Sequence, residues 1–218
     1  MSDGVQPAWG DVVERYEDWY RTPRGHRYDL VEKNLLTGLV GPEPGRRLLE
    51  IGCGTGHFTR WFQELGWRTW GLDLDEGMLV RARKLSGEGI LYCRGDAEKL
   101  PFADRSFDVC ALITTLESTA HPEQALREAL RVSRQTVLLG VLNVFSFLAL
   151  WRRIRAVFRP TIFSQTRFYS GPALCTMIRR VSYRLGIPVS VKIASTRKGF
   201  FERFPLGAFF AVTVEREK

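Results

Sequence analysis

Three glycines stand within five residues where an apolar segment meets an amphipathic one, in the stretch RRLLEIGCGTGHFTRWF at 46–62. The apolar run before the glycines predicts a buried strand, and the apolar residues after them recur at helical spacing: Phe58, Trp61, Phe62 and Leu65. Glycine destabilises regular structure except where the backbone needs a positive φ or must pass close to another group. The cluster therefore predicts a tight strand-to-helix loop whose backbone approaches a ligand or another part of the chain.

Strand and helix patterns alternate from this loop to about residue 143. Four further apolar runs predict strands, WRTWGLD, ILYCRGD, FDVCALI and QTVLLGVLN, and helical patterns such as DEGMLVRARKL and PEQALREALRVS lie among them. This alternation, with strands apolar on both faces, predicts an α/β fold with a mostly parallel, doubly wound sheet and helices on both faces. The late segments VSVKIAST and GAFFAVTVE predict a C-terminal antiparallel strand pair.

The length of 218 residues is that of one well-packed domain. We expect a single domain over 1–218 with four parts. They are a helical segment at 1–44, the alternating core at 45–143, a helical cap at 144–187 and the strand pair at 188–218.

Composition limits the partners and the compartment. The formal net charge of +8 suits an acidic substrate, nucleic acid or an anionic membrane surface, although solubility alone also explains it. The four cysteines form no CxxC pair, which predicts reduced structural thiols. The acidic, aromatic N-terminus lacks the features of a secretory signal and so favours the cytoplasm. The longest nearly apolar run, 137–151, is too short for a membrane span of about 20 residues.

Acidic residues follow the second and third predicted strands. Asp73 lies 19 residues beyond Gly54, about the separation at which a carboxylate binds ribose hydroxyls, and Asp96 could accept a hydrogen bond from an adenine amino group. In parallel sheets, ligands bind beyond the carboxyl ends of the strands. The glycines fit GxGxG, whereas the dinucleotide pattern GxGxxG would need glycine in place of His57. The set predicts an adenosine pocket without a pyrophosphate clamp.

At this point the sequence resembles the class I S-adenosylmethionine-dependent methyltransferases, in particular the type 11-like family. The resemblance rests on LLEIGCGTGHFT, WGLDLDEGML, GDAEKLPFADRSFDVC and LESTAHPEQALREALRVS, and spans about two thirds of the chain. It implies a Rossmann-like fold, methyl transfer, and S-adenosylmethionine as cofactor with S-adenosylhomocysteine as product. One departure is SRQT at 133–136, which replaces the proline-glycine-glycine turn usual before the fifth strand.

The resemblance also implies site roles. Glu50 and the backbone at Gly52 and Gly54 would hold the amino-acid end of the cofactor, with Gly56 allowing the helix to approach. The other implied cofactor contacts are Asp73 at the ribose, Leu74 on the adenine face, Asp96 and the Ala97 amide at the adenine edge, Ile113 and Thr114 at the methionine portion, and Tyr16, Tyr20 and Arg24 in a covering N-terminal segment. No metal ligand is predicted. No catalytic base is assigned, although His57, His121 and Glu117 are the polar groups considered.

Several functions remain open at the level of sequence. The leading hypothesis is methyl transfer to a small or lipid-like acceptor. The alternatives are a nucleic-acid methyltransferase, a non-catalytic S-adenosylmethionine-binding protein and an NAD-dependent oxidoreductase. We expect the segment 145–169 to form one wall of the acceptor pocket, because its aromatic residues could line an apolar body and Arg152, Arg153 and Arg155 could pair with an anionic group. The basic residues of this segment are also compatible with a peripheral membrane contact. No nucleic acid partner is expected, and the oligomeric state is left open.

Overall fold

The computed structural model describes residues 17–143, 167–195 and 209–217. Seven strands form one sheet, in the order β3-β2-β1-β4-β5-β7-β6. The strands are β1 Arg47–Ile51, β2 Arg68–Asp73, β3 Leu91–Arg94, β4 Phe107–Ile113, β5 Ser133–Leu142, β6 Val189–Ser195 and β7 Phe209–Arg216. Strands β1 to β5 are parallel to one another, and β7 pairs antiparallel with both β5 and β6. The predicted mostly parallel sheet with a C-terminal antiparallel pair is confirmed.

Five helices have bounds that the described residues define. They are α1 Pro23–Leu39, α2 His57–Glu64, α3 Glu76–Leu85, α4 Pro122–Val132 and α5 Gly171–Leu185. Residues 17–21 are also helical and precede α1. Side chains of Asp75 and Ser170 cap α3 and α5 by accepting hydrogen bonds from the backbone N–H groups of Met78 and Ala173.

Helices cover both faces of the sheet, as predicted. On one face, side chains of α4 and α5 such as Leu126 and Ile178 pack against Leu139 of β5 in one apolar cluster. On the other face, Leu36 of α1 and Phe62 of α2 belong to a second cluster with strand residues. Both clusters are almost fully buried and hold the strand ends in a fixed arrangement.

Two local expectations need correction. The stretch HRYDLVEKNLLTGLV predicts a helix from His26 after an interruption at RTPRG, but α1 begins at Pro23. The side chain of Thr22 accepts a hydrogen bond from the N–H of Gly25, and Pro23 occupies the first helical position. No separate turn occupies 133–136, because α4 ends at Val132 and β5 begins at Ser133. Ser133 is buried and its hydroxyl donates to the Leu130 carbonyl, which lets the helix end run directly into the strand.

All four cysteines are free thiols, and Cys53 and Cys110 are buried. Burial raises the pKa of both thiols, which keeps them protonated and inert. In the described ranges, no helix has the length and apolar character needed to cross a membrane.

Candidate functional site

The glycine loop at 52–56 joins β1 to α2 at the carboxyl edge of the sheet. Gly52, Gly54 and Gly56 all have positive φ, of 71°, 53° and 77°. A Cβ on Gly52 would collide with the side chain of Thr115, and one on Gly56 would collide with the ring of Tyr92. A Cβ on Gly54 would meet no atom within 4 Å. The outer glycines therefore serve internal packing, while Gly54 borders open space.

Asp73, at the end of β2, holds this loop in shape. One carboxylate oxygen accepts from the N–H of Gly54 at 2.7 Å, and the other accepts from the N–H of Asp75 at 2.9 Å. Burial raises the pKa of Asp73, and these backbone hydrogen bonds oppose the shift. Each carboxylate oxygen retains a second acceptor site, so Asp73 can support the loop and also receive hydroxyl donors.

Glu50 lies in β1, on the inner side of the loop. Its carboxyl group is 2% exposed and accepts a hydrogen bond from the Thr59 hydroxyl of α2. Burial raises its pKa to about 8, and the bond from Thr59 partly offsets that effect. A buried carboxylate of this kind is stabilised when a cationic group binds beside it.

The candidate adenine contacts follow β2 and β3. Leu74 is 42% exposed, which leaves an apolar surface available beside Asp73. The Asp96 side chain accepts a hydrogen bond from the N–H of Glu98, so it also fixes its own turn. Ala97 packs partly against the core of the sheet. Asp96 therefore stabilises its own turn, and its remaining acceptor capacity is compatible with an adenine contact.

The end of β4 approaches the glycine loop from the opposite side. Ile113 is buried in the core cluster that contains Phe209. Thr114 has a φ of 52°, which is rare for a β-branched residue and indicates local strain. Its N–H donates to the Gly140 carbonyl at 2.7 Å, and the Thr115 hydroxyl donates to the Ile51 carbonyl at 2.9 Å. These bonds place the 114–117 loop against Gly52.

Helical residues 17–21 pack on the glycine loop and on the start of α2. The Tyr20 ring stacks on His57, with centroids 3.8 Å apart and planes 8° from parallel. His57 Nε2 lies 2.7 Å from the carboxylate of Asp29 in α1. Glu17 accepts from the Thr55 hydroxyl at 2.6 Å and pairs with Arg60 at 3.0 Å. Residues 17 and 20 thus bring the N-terminal segment into contact with the loop and the start of α2, while the predicted contact of Tyr20 with the cofactor stays a prediction.

The other two residues predicted for the covering segment are Arg24 and Tyr16. The Arg24 guanidinium lies 5.9 Å from the centroid of the Tyr28 ring, on an exposed part of α1. Tyr16 lies outside the described residues. Glu17, Thr55 and Thr59 could not be predicted, because side-chain hydrogen bonds between different elements leave no periodic pattern in the sequence.

Of the three polar groups considered as a base, His57 is held by Asp29 and Tyr20, and His121 is exposed at the start of α4. Glu117 is 2% exposed, and its Oε1 accepts from the N–H of Leu142 at the end of β5 at 2.6 Å. Burial raises the pKa of Glu117 to about 7, against the lowering effect of these backbone bonds.

The arrangement fits an adenosyl cofactor with a positively charged amino-acid end. Gly54 borders open space and donates its N–H to the partly buried carboxylate of Asp73, and the buried Glu50 lies in β1 just before the loop. The N–H groups of Gly52 and Gly54 already donate to the Leu72 carbonyl and to Asp73, so carbonyl oxygens of the loop are better placed to receive an ammonium group. No cluster of possible metal ligands occurs within 17–143, 167–195 and 209–217.

Comparisons with known proteins agree with this geometry. Residues 49–139 match a family model described as a methyltransferase domain. The ubiquinone/menaquinone biosynthesis C-methyltransferase of Laribacter hongkongensis is 33% identical over 162 residues, covering 71% of this chain and 64% of that protein. The malonyl-[acyl-carrier protein] O-methyltransferase of Serratia marcescens is 38% identical over 114 residues, covering 52% of this chain and 43% of that protein. The chain thus spans about half the length of these curated relatives.

A solved structure matches the chain over nearly its whole length. It is a Thermotoga maritima S-adenosylmethionine-dependent methyltransferase described as a possible histamine N-methyltransferase, with 26% identity, a TM-score of 0.76 and coverage of 96% of this chain and 98% of that one. The fold is a Rossmann-like α/β sheet with a glycine-rich loop between β1 and α2. The family match, the relatives and this solved structure support a class I S-adenosylmethionine-dependent methyltransferase with S-adenosylmethionine as its cofactor.

Proposed function

We propose that this protein transfers the methyl group of S-adenosylmethionine to a small-molecule acceptor. The observation that carries the proposal is the open space at Gly54, whose N–H donates to Asp73 and whose loop follows the buried Glu50 of β1. A cationic amino group and two ribose hydroxyls are complementary to those two carboxylates.

Each residue of the site has a proposed contact. Glu50 and the carbonyl oxygens of the loop at Gly52 and Gly54 hold the amino-acid end of the cofactor, and Asp73 accepts from the ribose hydroxyls. The remaining contacts are proposed to be Leu74 on the adenine face, Asp96 and the Ala97 amide at the adenine edge, Ile113 and Thr114 at the methionine portion, and Tyr20, Tyr16 and Arg24 in the covering segment.

The cofactor supplies an activated methyl group when it is bound, so the protein has mainly to position the acceptor in line with it. The strained Thr114 and its bond to Gly140 fix one side of the pocket. The stack of Tyr20 on His57 lies beside the end of the glycine loop, and we propose that it covers the cofactor there.

The acceptor is proposed as a class. The relatives are named for a quinone-pathway C-methylation, a malonyl-[acyl-carrier protein] O-methylation and a possible histamine N-methylation, so they support small-molecule acceptors of differing chemistry. An apolar body with an anionic group remains our proposal from the sequence of 145–169. Its arginines, Arg152, Arg153 and Arg155, lie outside the described residues.

Transfer of labelled methyl tests the proposal. The protein is incubated with methyl-tritiated S-adenosylmethionine and separate small-molecule, lipid, protein and nucleic-acid fractions of a bacterial extract. Label is expected in the small-molecule or lipid fraction, and retention of the product on an anion exchanger supports the anionic group. Label confined to nucleic acid would contradict the proposal. Binding of S-adenosylhomocysteine without transfer to any fraction would instead favour a non-catalytic role.

A further inference from the structure

Glu117 is a buried acidic residue in the loop that follows β4. It follows β4 in the same loop as Thr115, whose side chain contacts Gly52, and its Oε1 accepts from the N–H of Leu142 at the end of β5. The carboxyl group therefore sits between the glycine loop and the end of the fifth strand. This corner is beyond the carboxyl ends of the strands, where the reacting ends of cofactor and acceptor would meet.

The two oxygens of this carboxyl group differ. Oε1 has its partner in Leu142, whereas Oε2 is buried and has no hydrogen-bond partner among the described residues. Burying an acceptor without a donor costs roughly 1 to 3 kcal/mol, and more for a charged group. Such a group is retained at a cost in stability, which suggests that a ligand supplies the missing donor.

The neighbours of Glu117 do not neutralise its charge. Tyr169 donates its hydroxyl to the Leu116 carbonyl at 3.2 Å, and Arg167 directs its guanidinium to the carbonyls of Thr119 and Ala120. Within the described part of the chain, no cation forms an ion pair with Glu117. A ligand that brings both a donor and a positive charge therefore fits better than a neutral alcohol.

We propose that Glu117 Oε2 is the catalytic base for an amine acceptor, which makes the reaction an N-methylation. This proposal rests on the proposed methyl transfer and narrows its substrate class. The ammonium form of the acceptor pairs with Oε2 and gives it one proton. The freed nitrogen lone pair then attacks the sulfonium methyl carbon, the C–S bond breaks, and its electron pair goes to sulfur. The products are the methylated ammonium, S-adenosylhomocysteine and a protonated Glu117, which returns its proton to water.

The competing explanation is that Glu117 only holds the ends of the chain together. Its backbone carbonyl accepts from the N–H of Arg167, and Oε1 accepts from Leu142, so the residue links the end of β5 to the segment at 167. Glu117→Gln separates the two roles. The glutamine oxygen can still accept from Leu142 and the backbone bond is unchanged, while the position of Oε2 loses its charge and its acceptor.

The test uses the complex with S-adenosylhomocysteine, to which methylamine, phenethylamine or tryptamine is added in a calorimeter. The alcohol matched to phenethylamine, 2-phenylethanol, is the ligand control. At least one amine should bind the wild-type complex more tightly than the alcohol, and should bind Glu117→Gln at least tenfold more weakly. Transfer of tritiated methyl to that amine should fall by about 100-fold or more in the variant.

Three results would overturn the proposal: no amine binds the wild-type complex, the alcohol binds as well as the amine, or Glu117→Gln binds and methylates amines normally. The comparison of amine with alcohol uses only the wild-type protein. The preference for an amine acceptor can therefore be tested even if Glu117→Gln folds poorly. Loss of S-adenosylhomocysteine binding by the wild-type protein would instead contradict the proposed function itself.

Discussion

The three glycines of the loop have different physical reasons for being glycine. All three have positive φ, which disfavours other residues, but only Gly52 and Gly56 are also excluded from carrying a Cβ by neighbouring side chains. Gly54 has free space where its side chain would be. We assign that space to the cofactor, so substitutions at Gly52 and Gly54 should differ in their effects on stability and on cofactor affinity.

We expect Gly54→Ala to fold and to lose affinity for S-adenosylhomocysteine. The strain of a positive φ costs roughly 1–2 kcal/mol, while the new methyl group enters the cofactor space. Gly52→Ala should be destabilised more, because its Cβ would collide with the short, buried side chain of Thr115. Thermal melting and calorimetry of both variants check this. A Gly54→Ala protein with unchanged affinity would show that the space is not occupied by the cofactor.

Asp73→Ala should weaken binding of S-adenosylhomocysteine by about 10- to 150-fold, because a hydrogen bond to a charged group contributes roughly 1.5 to 3 kcal/mol. The matched control is Asp75→Ala, which removes the N-cap of α3 and costs about 1 kcal/mol of stability without touching the proposed ribose site. Calorimetry gives the affinity, and melting gives the stability. Equal affinity in the two variants would remove Asp73 from the site.

At the scale of elements, the N-terminal segment is the part of the site that depends most on tertiary contact. Tyr20 stacks on His57, which in turn contacts Asp29 of α1, so the segment, α1 and α2 meet over the glycine loop. Trp19, the preceding residue, packs edge-on against Tyr20 and stacks on Tyr28, and it makes no ring contact with His57. These adjacent aromatic residues provide an internal comparison.

We expect Tyr20→Ala to weaken S-adenosylhomocysteine binding by about 2- to 13-fold, since an aromatic contact is worth roughly 0.5–1.5 kcal/mol beyond the area that it buries. Trp19→Ala, with a side chain already 40% exposed, should leave the affinity unchanged. Calorimetry on both variants tests the assignment. Equal losses in the two proteins would mean that the segment acts through general stability rather than through Tyr20.

The sequence predicted elements better than contacts. Strands β1 to β5, the cap residues Asp75 and Ser170 and the terminal pair β6 and β7 follow from local patterns of apolar and capping residues. The start of α1 at Pro23 could not be predicted, because it depends on one hydrogen bond that the Thr22 side chain accepts from the N–H of Gly25. The links of Glu17 to Thr55 and of Glu50 to Thr59 join distant or differently patterned residues, so no periodicity could indicate them.

At the scale of the whole molecule, buried acids make stability depend on pH. Glu50 and Glu117 have folded pKa values of about 8 and about 7, above the value of 4.5 expected in an unfolded chain. Between pH 4.5 and 8 the folded protein therefore holds protons that the unfolded chain has released. Stability contributed by these groups is fully present below pH 4.5 and is lost as the pH rises through their folded pKa values.

Glu117→Gln should consequently be more stable than the wild-type protein at pH 8, by at most about 3 kcal/mol, and equal to it near pH 4.5. The control is Glu128→Gln, because hydrogen bonds from Arg131 lower the pKa of Glu128. Glu128→Gln should be less stable than the wild-type protein at neutral pH. The difference in the free energy of unfolding between the two proteins should shrink as the pH falls below 4.5. Urea unfolding across this pH range measures both. If the difference in unfolding free energy between Glu117→Gln and the wild-type protein does not change with pH, the raised pKa of Glu117 is contradicted.

We expect the carboxyl edge of the sheet to bind S-adenosylmethionine rather than a dinucleotide. His57 stands where the dinucleotide pattern needs its last glycine, and it is engaged by Asp29 and Tyr20. The most direct measurement is calorimetric titration of the full chain with S-adenosylhomocysteine and, separately, with NAD. We expect saturable binding of S-adenosylhomocysteine with a stoichiometry near one and no binding heat with NAD. Saturable binding of NAD with no response to S-adenosylhomocysteine would contradict it.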